Sequence, residues 1–300
     1  MAAAQPVRDN LCCDTPVAEH DTDPAELRAV AVRLATEAAD FVRRRRGEVF
    51  GDTLRREAGG GAVRAKSTPT DPVTIVDTET ERLLRGRLAE LRPGERALGE
   101  EEGGRADSQA GAPTWVLDPI DGTVNFVYGL PAYAVSVAVQ VDGVSVAGAV
   151  AHVATGAVYS AALGHGAQVL QAGETTTLRC TAVDDLSMAL VGTGFSYEPR
   201  RREQQAAVLA QLLPTVRDIR RMGSAALDLC MVAAGSLDAF YEDNLHVWDW
   251  AAGALIAAEA GAALRLPPAD GAIGGAGLVV AAAPGIAVAL SDALSRFGAL

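Results

Sequence analysis

The chain has 300 residues, 49% of them hydrophobic, and a formal net charge of −12. That length allows one large or two ordinary domains around a sizeable core, and the acidic balance argues against a general nucleic-acid or membrane-surface binder. Four cysteines without a C-x-x-C pair, and only four histidines, give no disulfide framework, no zinc site and little support for a histidine nucleophile; they fit reduced thiols in a cytoplasm.

Residues 1–22 read as a disordered lead. They lack a basic segment followed by an apolar core, so they are not a signal peptide, and no apolar run is long and clean enough to span a bilayer. Asp23-Pro24-Ala25-Glu26 is a helix start, with Asp as N-cap, Pro at N1 and Glu at N3. Leu27, Ala31, Leu34, Ala38 and Phe41 recur at helical spacing. Arg43 to Arg46 crowd the expected end of that helix, where cations suit the macrodipole. The glycine-rich stretch Glu57 to Ala65 lacks the Lys-Ser/Thr ending of a P-loop. Val73 to Val76 reads as a short strand. Asp77 or Thr78 then caps a second helix that carries Leu83, Leu84, Leu88 and Leu91 inward and stops before Pro93-Gly94.

Ala97-Leu98-Gly99 steps into the acidic run Glu100-Glu101-Glu102. Trp115 to Leu117 reads as a short buried strand that ends in Asp118-Pro119-Ile120-Asp121-Gly122-Thr123, after which a helical turn starts. Tyr133 to Val141 and Val144 to Ala151 flank Asp142-Gly143, a hairpin signal, and short strands continue at Ala157 to Ala162, Gln168 to Gln171 and Thr176 to Cys180. From Met188 onward strands alternate with helices: Ala189 to Gly192, a helix over Glu203 to Leu213, Asp218 to Met222, a helix from Ala225 capped by Ser224, Leu237 to Tyr241, and an Ala-rich helix from Trp250 preceded by Asp249. Gly271 to Leu290 suits buried strand and turn. The expected organisation is an N-terminal α+β half over 23–186, with an antiparallel sheet and two helices, and a C-terminal α/β half over 187–300.

Asp77, Glu100, Asp118, Asp121 and Asp249, with Lys66 and Thr123 nearby, form the candidate site. Each has a plain structural alternative: Asp77 and Asp249 as helix caps, Glu100 as a solvated loop residue, Asp118 and Asp121 as an Asx-type turn. Each also lies at the end of an expected strand or the start of a helix, and in layered α/β folds such edges converge on one crevice. Five carboxylates brought together raise one another's pKa and call for dications. Oxygen-only donors select Mg²⁺, Mn²⁺ or Ca²⁺ over zinc, and the substrates that complete such a site with their own oxygens are phosphates. The Asp-x-Asp-Gly-Thr of dehalogenase-type phosphatases is one residue shorter. A spacing of three does not put both carboxylates on one face of a regular strand, so an aspartyl nucleophile does not carry over.

Lys66, Asp71 to Asp77, Gly99-Glu100-Glu101, Trp115 to Phe126, Gly223-Ser224-Ala225, Tyr241-Glu242, Trp248-Asp249-Trp250-Ala251-Ala252-Gly253 and Glu259-Ala260-Gly261 together resemble the inositol monophosphatase family, and most the bacterial inositol-1-monophosphatase branch. The resemblance spans nearly all of Glu26 to Ala283. It implies an α+β five-layer αβαβα sandwich of the inositol monophosphatase/fructose-1,6-bisphosphatase type, usually a homodimer, that is Mg²⁺-dependent (two to three ions, Mn²⁺ a possible substitute) and lithium-sensitive. It implies that Glu100, Asp118 and the Ile120 carbonyl hold one ion and that Asp118, Asp121 and Asp249 hold a second. Asp77 and Thr123 would position the attacking water, the Gly122 and Thr123 amides would meet the phosphate, and Lys66, Gly223, Ser224, Ala225 and Glu242 would lie at the substrate. The implied reaction is direct in-line hydrolysis of an inositol phosphate without a phosphoenzyme. The alternatives within the fold are histidinol phosphate, adenosine 3′,5′-bisphosphate (3′-phosphoadenosine 5′-phosphate) or fructose bisphosphate as substrate; the alternative outside it is a non-catalytic regulatory binding protein. The Glu100–Glu102 triplet, where the family has a pair, leaves Glu101 as a possible ligand in place of Glu100.

Overall fold

The computed structural model describes residues 23–51, 63–66, 72–104, 110–267 and 277–299. The N-terminal lead, the three glycines at 59–61, the segment Thr70-Asp71 and residues 271–276 lie outside the described residues.

Helix α1 (Pro24–Phe50) starts as expected, with Asp23 accepting from the Ala25 N–H. It then runs past the arginine cluster to Phe50, and Val42, not Phe41, faces inward. The arginines therefore do not serve the helix end. Arg43 donates to the Val153 carbonyl, Arg45 pairs with Glu79, and Arg46 donates to the Phe126 carbonyl, so the cluster ties α1 to the elements beneath it. Strands β1 (Val63–Ala65) and β2 (Pro72–Thr74) form a small antiparallel pair. Helix α2 (Ile75–Leu91) is capped by Thr74 rather than by Asp77 or Thr78; Asp77 is the N3 partner of a capping box.

Then follow β3 (Arg96–Gly99), β4 (Pro113–Asp121), α3 (Thr123–Tyr128), β5 (Ala134–Val141), β6 (Val144–His152), β7 (Val158–Ala162), β8 (Ala167–Gln171) and β9 (Glu174–Thr177). They build a seven-stranded sheet in the order β3-β4-β5-β6-β7-β8-β9, antiparallel except for the β3–β4 pair. The Asp142-Gly143 hairpin forms with both residues at positive φ, 50° and 79°. After it come β10 (Leu190–Thr193), α4 (Pro199–Leu212), β11 (Asp218–Arg220), α5 (Ala225–Ala233), β12 (Ala239–Leu245), α6 (Val247–Glu259), β13 (Ala263–Arg265), β14 (Gly277–Ala282) and α7 (Ala287–Arg296). The second sheet runs β11-β10-β12-β14-β13, with β10 parallel to both neighbours. Helix α7 replaces the strand-and-turn expectation for the end of the 271–290 stretch.

Strand alternation fixes the layers. Trp115 and Leu117 on β4, with Val135, Val137 and Val139 on β5, pack under α1 and α2. Val116, Ala134 and Ala138, on the opposite face, pack on α5 and α6. The far sides of α5 and α6 meet Phe240, Val279 and Ala281 of the second sheet, and Val191, Tyr241 and Val280 on that sheet's other face meet α4 and α7. The order is helices, sheet, helices, sheet, helices: the five-layer sandwich. Helices α5 and α6 are apolar almost all round, as a helix pair between two sheets must be.

One irregularity positions the site. In β4, Asp118 pairs with Ser136 and Asp121 with Ala134, three residues against two. This is a one-residue bulge, and Pro119, which has no N–H to offer a ladder, sits inside it. The bulge re-phases the strand, so Asp118 and Asp121 share a face despite their spacing of three. It is the face toward α5 and α6.

Candidate metal and phosphate site

The first turns of α2, α5 and α6 approach the bulged end of β4, and each contributes or anchors a carboxylate. Asp77, at N3 of α2, accepts the Thr74 N–H at 2.9 Å through Oδ2, while its Oδ1 lies 3.1 Å from Thr123 Oγ1. Asp249, at N3 of α6, accepts the His246 N–H at 2.7 Å through Oδ2. Asp121 Oδ2 accepts from Ser224 Oγ at 2.6 Å and from the Ala226 N–H at 2.7 Å, at the start of α5. Asp118 Oδ1 accepts the Ile120 N–H at 3.0 Å. The capping role and the site role of Asp77 and Asp249 are thus compatible, because one oxygen caps and the other is available. At Asp118 and Asp249 the second oxygen has no protein donor among the described residues.

These carboxyls line or adjoin a cavity of about 370 Å³. Lys66, Glu100, Asp118, Ile120, Asp121, Gly122, Thr123, Gly223, Ala225, Glu242 and Asp249 are on its wall. Asp77 stands behind the wall through Thr123. Ser224 is buried, its hydroxyl turned to Asp121 and to the Leu227 N–H rather than to the cavity. Lys66 Nζ lies 2.8 Å from Glu100 and 2.5 Å from Glu101. Of the glutamate triplet, Glu100 is on the cavity wall, while Glu101 and Glu102 are held from behind: both backbone N–H groups donate to Glu81. Glu81 is fully buried and lies so close over Gly99 that any Cβ there would collide with it. Gly122 is required twice over, by its φ of 96° and by the Gly223 carbonyl 3.0 Å from where a Cβ would stand. Asn125 braces that approach, donating to the Ala132 and Met222 carbonyls.

Burial and mutual repulsion shape the electrostatics. Asp118 is pushed well above the usual carboxylate range by burial, then by Glu100, Asp121 and Asp249; Asp249 is raised by burial, Glu100 and Asp121. Asp121 is raised by burial to about 6 against the Ser224 hydrogen bond. Asp77 is raised by burial to about 7. Burial alone would lower the Lys66 ammonium; Glu100 and Glu101 reverse that and hold it protonated. Burial raises Glu242 to about 8, with Arg221 opposing.

Among the described residues, no three Asp, Glu, His or Cys side chains close on a point as a ready-made cage. The donor set nevertheless fits a hard cation. It is all oxygen, and Asp118, Asp121 and Asp249 are buried beside one another's charge with no cation among the described residues to balance all three. Sequence reasoning did not find Glu81, the wall residues Phe195, Ser196 and Arg221, or Asp228, a buried acid on α5 with neither oxygen hydrogen-bonded among the described residues. Asp228 and Glu81 carried one signal, a charge in an otherwise inward-facing helical position.

A family model described as the inositol monophosphatase family matches residues 23–295. An inositol-1-monophosphatase of Mycobacterium leprae is 71% identical over 283 residues, covering 93% of this chain and 97% of that protein. A Vibrio cholerae protein described as Nus factor SuhB is 38% identical over 193 residues, 64% of this chain and 70% of that protein. The solved structure of Mycobacterium tuberculosis SuhB matches with a TM-score of 0.79 and 58% identity, covering 93% of this chain and 100% of that one.

Proposed function

The chain belongs to the inositol monophosphatase family, metal-dependent phosphoric monoester hydrolases, and we propose that its substrate is a myo-inositol monophosphate, its cation Mg²⁺ with Mn²⁺ as a substitute, and its setting a cytoplasmic, lithium-sensitive homodimer. The observation that carries this reading is the bulged β4 strand, which turns Asp118 and Asp121 onto one face, on the wall of a cavity that Asp249 and Glu242 also line. Glu100, Asp118, Asp121, Asp249 and the Ile120 carbonyl would hold the cations. Cations held there would supply positive charge for the phosphoryl oxygens and lower the pKa of the attacking water.

The chain's own groups do the rest. Thr123 Oγ1 orients the water and passes its proton toward Asp77, the buried carboxyl that its hydroxyl contacts. The Gly122 and Thr123 amides orient the phosphate. Asp121, fixed by Ser224 and the first turn of α5, keeps its ligand geometry through the reaction. Lys66 balances Glu100 and Glu101 at the edge of the site.

Glu242 suits the alcohol part of the substrate. Glu198, Glu242 and Asp243 line the cavity; Arg201 pairs with Glu198 and Asp243, and Arg221 opposes the charge of Glu242, whose carboxyl would accept from an alcohol hydroxyl. Histidinol phosphate carries an ammonium that Glu242 would also suit. A panel assay with Mg²⁺ decides: turnover of inositol 1-phosphate well above that of histidinol phosphate supports the reading, and the reverse order overturns it. A relative described as a Nus factor raises a binding role, but no described feature of this chain favours it over hydrolysis.

A further inference from the structure

Three non-glycine residues among those described have positive φ: Asp142 at 50°, Ala172 at 51° and Asn244 at 73°. Asp142 and Ala172 each precede a glycine in a two-residue hairpin turn, where the turn itself requires that conformation. Asn244 is in no hairpin. It lies in β12, where pairing with β14 passes from Glu242 opposite Val279 to Leu245 opposite Gly277, three residues against two. This is a one-residue bulge, the same device that turns Asp118 and Asp121 in β4. Each sheet therefore contributes one bulged strand to the same cavity.

Glycine is the residue that adopts a left-handed bulge position without strain. Here the position carries a side chain, and Asn244 is one of the residues that line the cavity. Its carboxamide has no hydrogen-bond partner among the described residues. The segment around it is fixed: Asp243 accepts from Arg201 Nη1 at 3.2 Å, and Leu245 is buried in the core. A held, left-handed asparagine two residues from Glu242, with a carboxamide that has no partner among the described residues, is a polar group placed where a ligand can use it.

We propose that Asn244 is a specificity-determining residue whose carboxamide hydrogen-bonds a hydroxyl of the leaving polyol, beside Glu242. The inference rests on the phosphomonoesterase reading above and names the group that recognises the alcohol. A carboxamide both donates and accepts, as a hydroxyl does, and it is uncharged, so it adds no repulsion to Glu242 and Asp243.

The test compares Asn244→Gly with the parent enzyme loaded with Mg²⁺, using inositol 1-phosphate as substrate and inorganic phosphate as competitive inhibitor. Glycine keeps the left-handed backbone and removes only the carboxamide. KM for inositol 1-phosphate rises about tenfold, the loss of one hydrogen bond. The change in kcat stays within about twofold, because the contact is to the leaving polyol and not to the phosphoryl group. The inhibition constant of phosphate, which lacks the polyol and so reads the phosphate-binding groups alone, does not move. Asn244→Asp, which retains the preference for positive φ but loses the donor, also raises KM and guards against a folding defect in the glycine variant. An unchanged KM, or a parallel weakening of phosphate inhibition, overturns the proposal. A parent enzyme that does not turn over inositol 1-phosphate overturns the functional reading and this inference together; a parent enzyme that does, with an Asn244→Gly variant of equal KM, overturns this inference alone.

Discussion

Thr123 Oγ1 lies 3.1 Å from Asp77 Oδ1 and 3.0 Å from the Ile120 carbonyl, so a single hydroxyl links the first turn of α2 to the bulge of β4. Its one proton can serve only one of these acceptors at a time. With Asp77 ionised, the hydroxyl donates to the carboxylate and presents a lone pair outward to the water. Thr123→Ala is expected to lower kcat by about a hundredfold or more while destabilising the fold by only about 1 kcal/mol. Thr123→Ser, which keeps the oxygen, is expected to retain most activity. Steady-state rates and thermal melts of the two variants check this, and equal losses in both would mean that the methyl packing matters rather than the hydroxyl.

Asp121→Asn is expected to remove a charged ligand and leave its anchor. The amide oxygen can still accept from Ser224 and the Ala226 N–H, so the melting temperature of the metal-free protein holds or rises as a repelling charge leaves. Turnover falls by orders of magnitude. Comparable activity in this variant would remove Asp121 from the metal site.

Glu81 touches neither the cavity nor its contents, yet it accepts the Glu101 and Glu102 N–H groups and pairs with Arg85. It is a positioning residue for the turn that presents Glu100. Glu81→Ala leaves those donors unpaired, an expected loss of about 1–3 kcal/mol, and raises the Mg²⁺ concentration for half-maximal activity by about tenfold. A Mg²⁺ titration of activity reads this directly; an unshifted midpoint would make Glu81 purely a stability residue.

The raised carboxyls predict how stability depends on pH without metal. Asp77 at about 7 and Asp121 at about 6 start from ordinary values of 3.8 in an unfolded chain. Between those limits the folded state binds more protons than the unfolded one, so stability is greatest at the acidic side of the window and falls as pH rises from about 4 through about 7. Mg²⁺ replaces those protons, so it should raise the melting temperature more at pH 8 than at pH 5.5. A metal-induced shift of the same size at both pH values would contradict the coupling.

The hub of the site was legible because an apolar strand breaking into Asp118 and Asp121, and an Ala-rich helix led by Asp249, are strong local signals. The geometry between them was not. A spacing of three predicts opposite strand faces, and only pairing with β5 reveals the bulge that cancels this. The caps of α2 and α6 were displaced for a similar reason: an acid at N3 looks like an N-cap until the reciprocal bond to Thr74 or His246 is seen. Arg43, Arg45 and Arg46 read as a helix end because the sequence does not show Val153, Glu79 and Phe126 waiting beside them. Asn244 carried no periodicity or motif, and its meaning lies in a backbone angle.

A crystal soaked with Mn²⁺ and phosphate, with anomalous scattering collected at the manganese edge, tests the central claim most directly. Peaks are expected between Asp118, Asp121 and Asp249 and between Glu100, Asp118 and the Ile120 carbonyl, with Glu101 remaining on Lys66. An absence of manganese from these carboxylates, or a peak bound by Glu101 in place of Glu100, would contradict it.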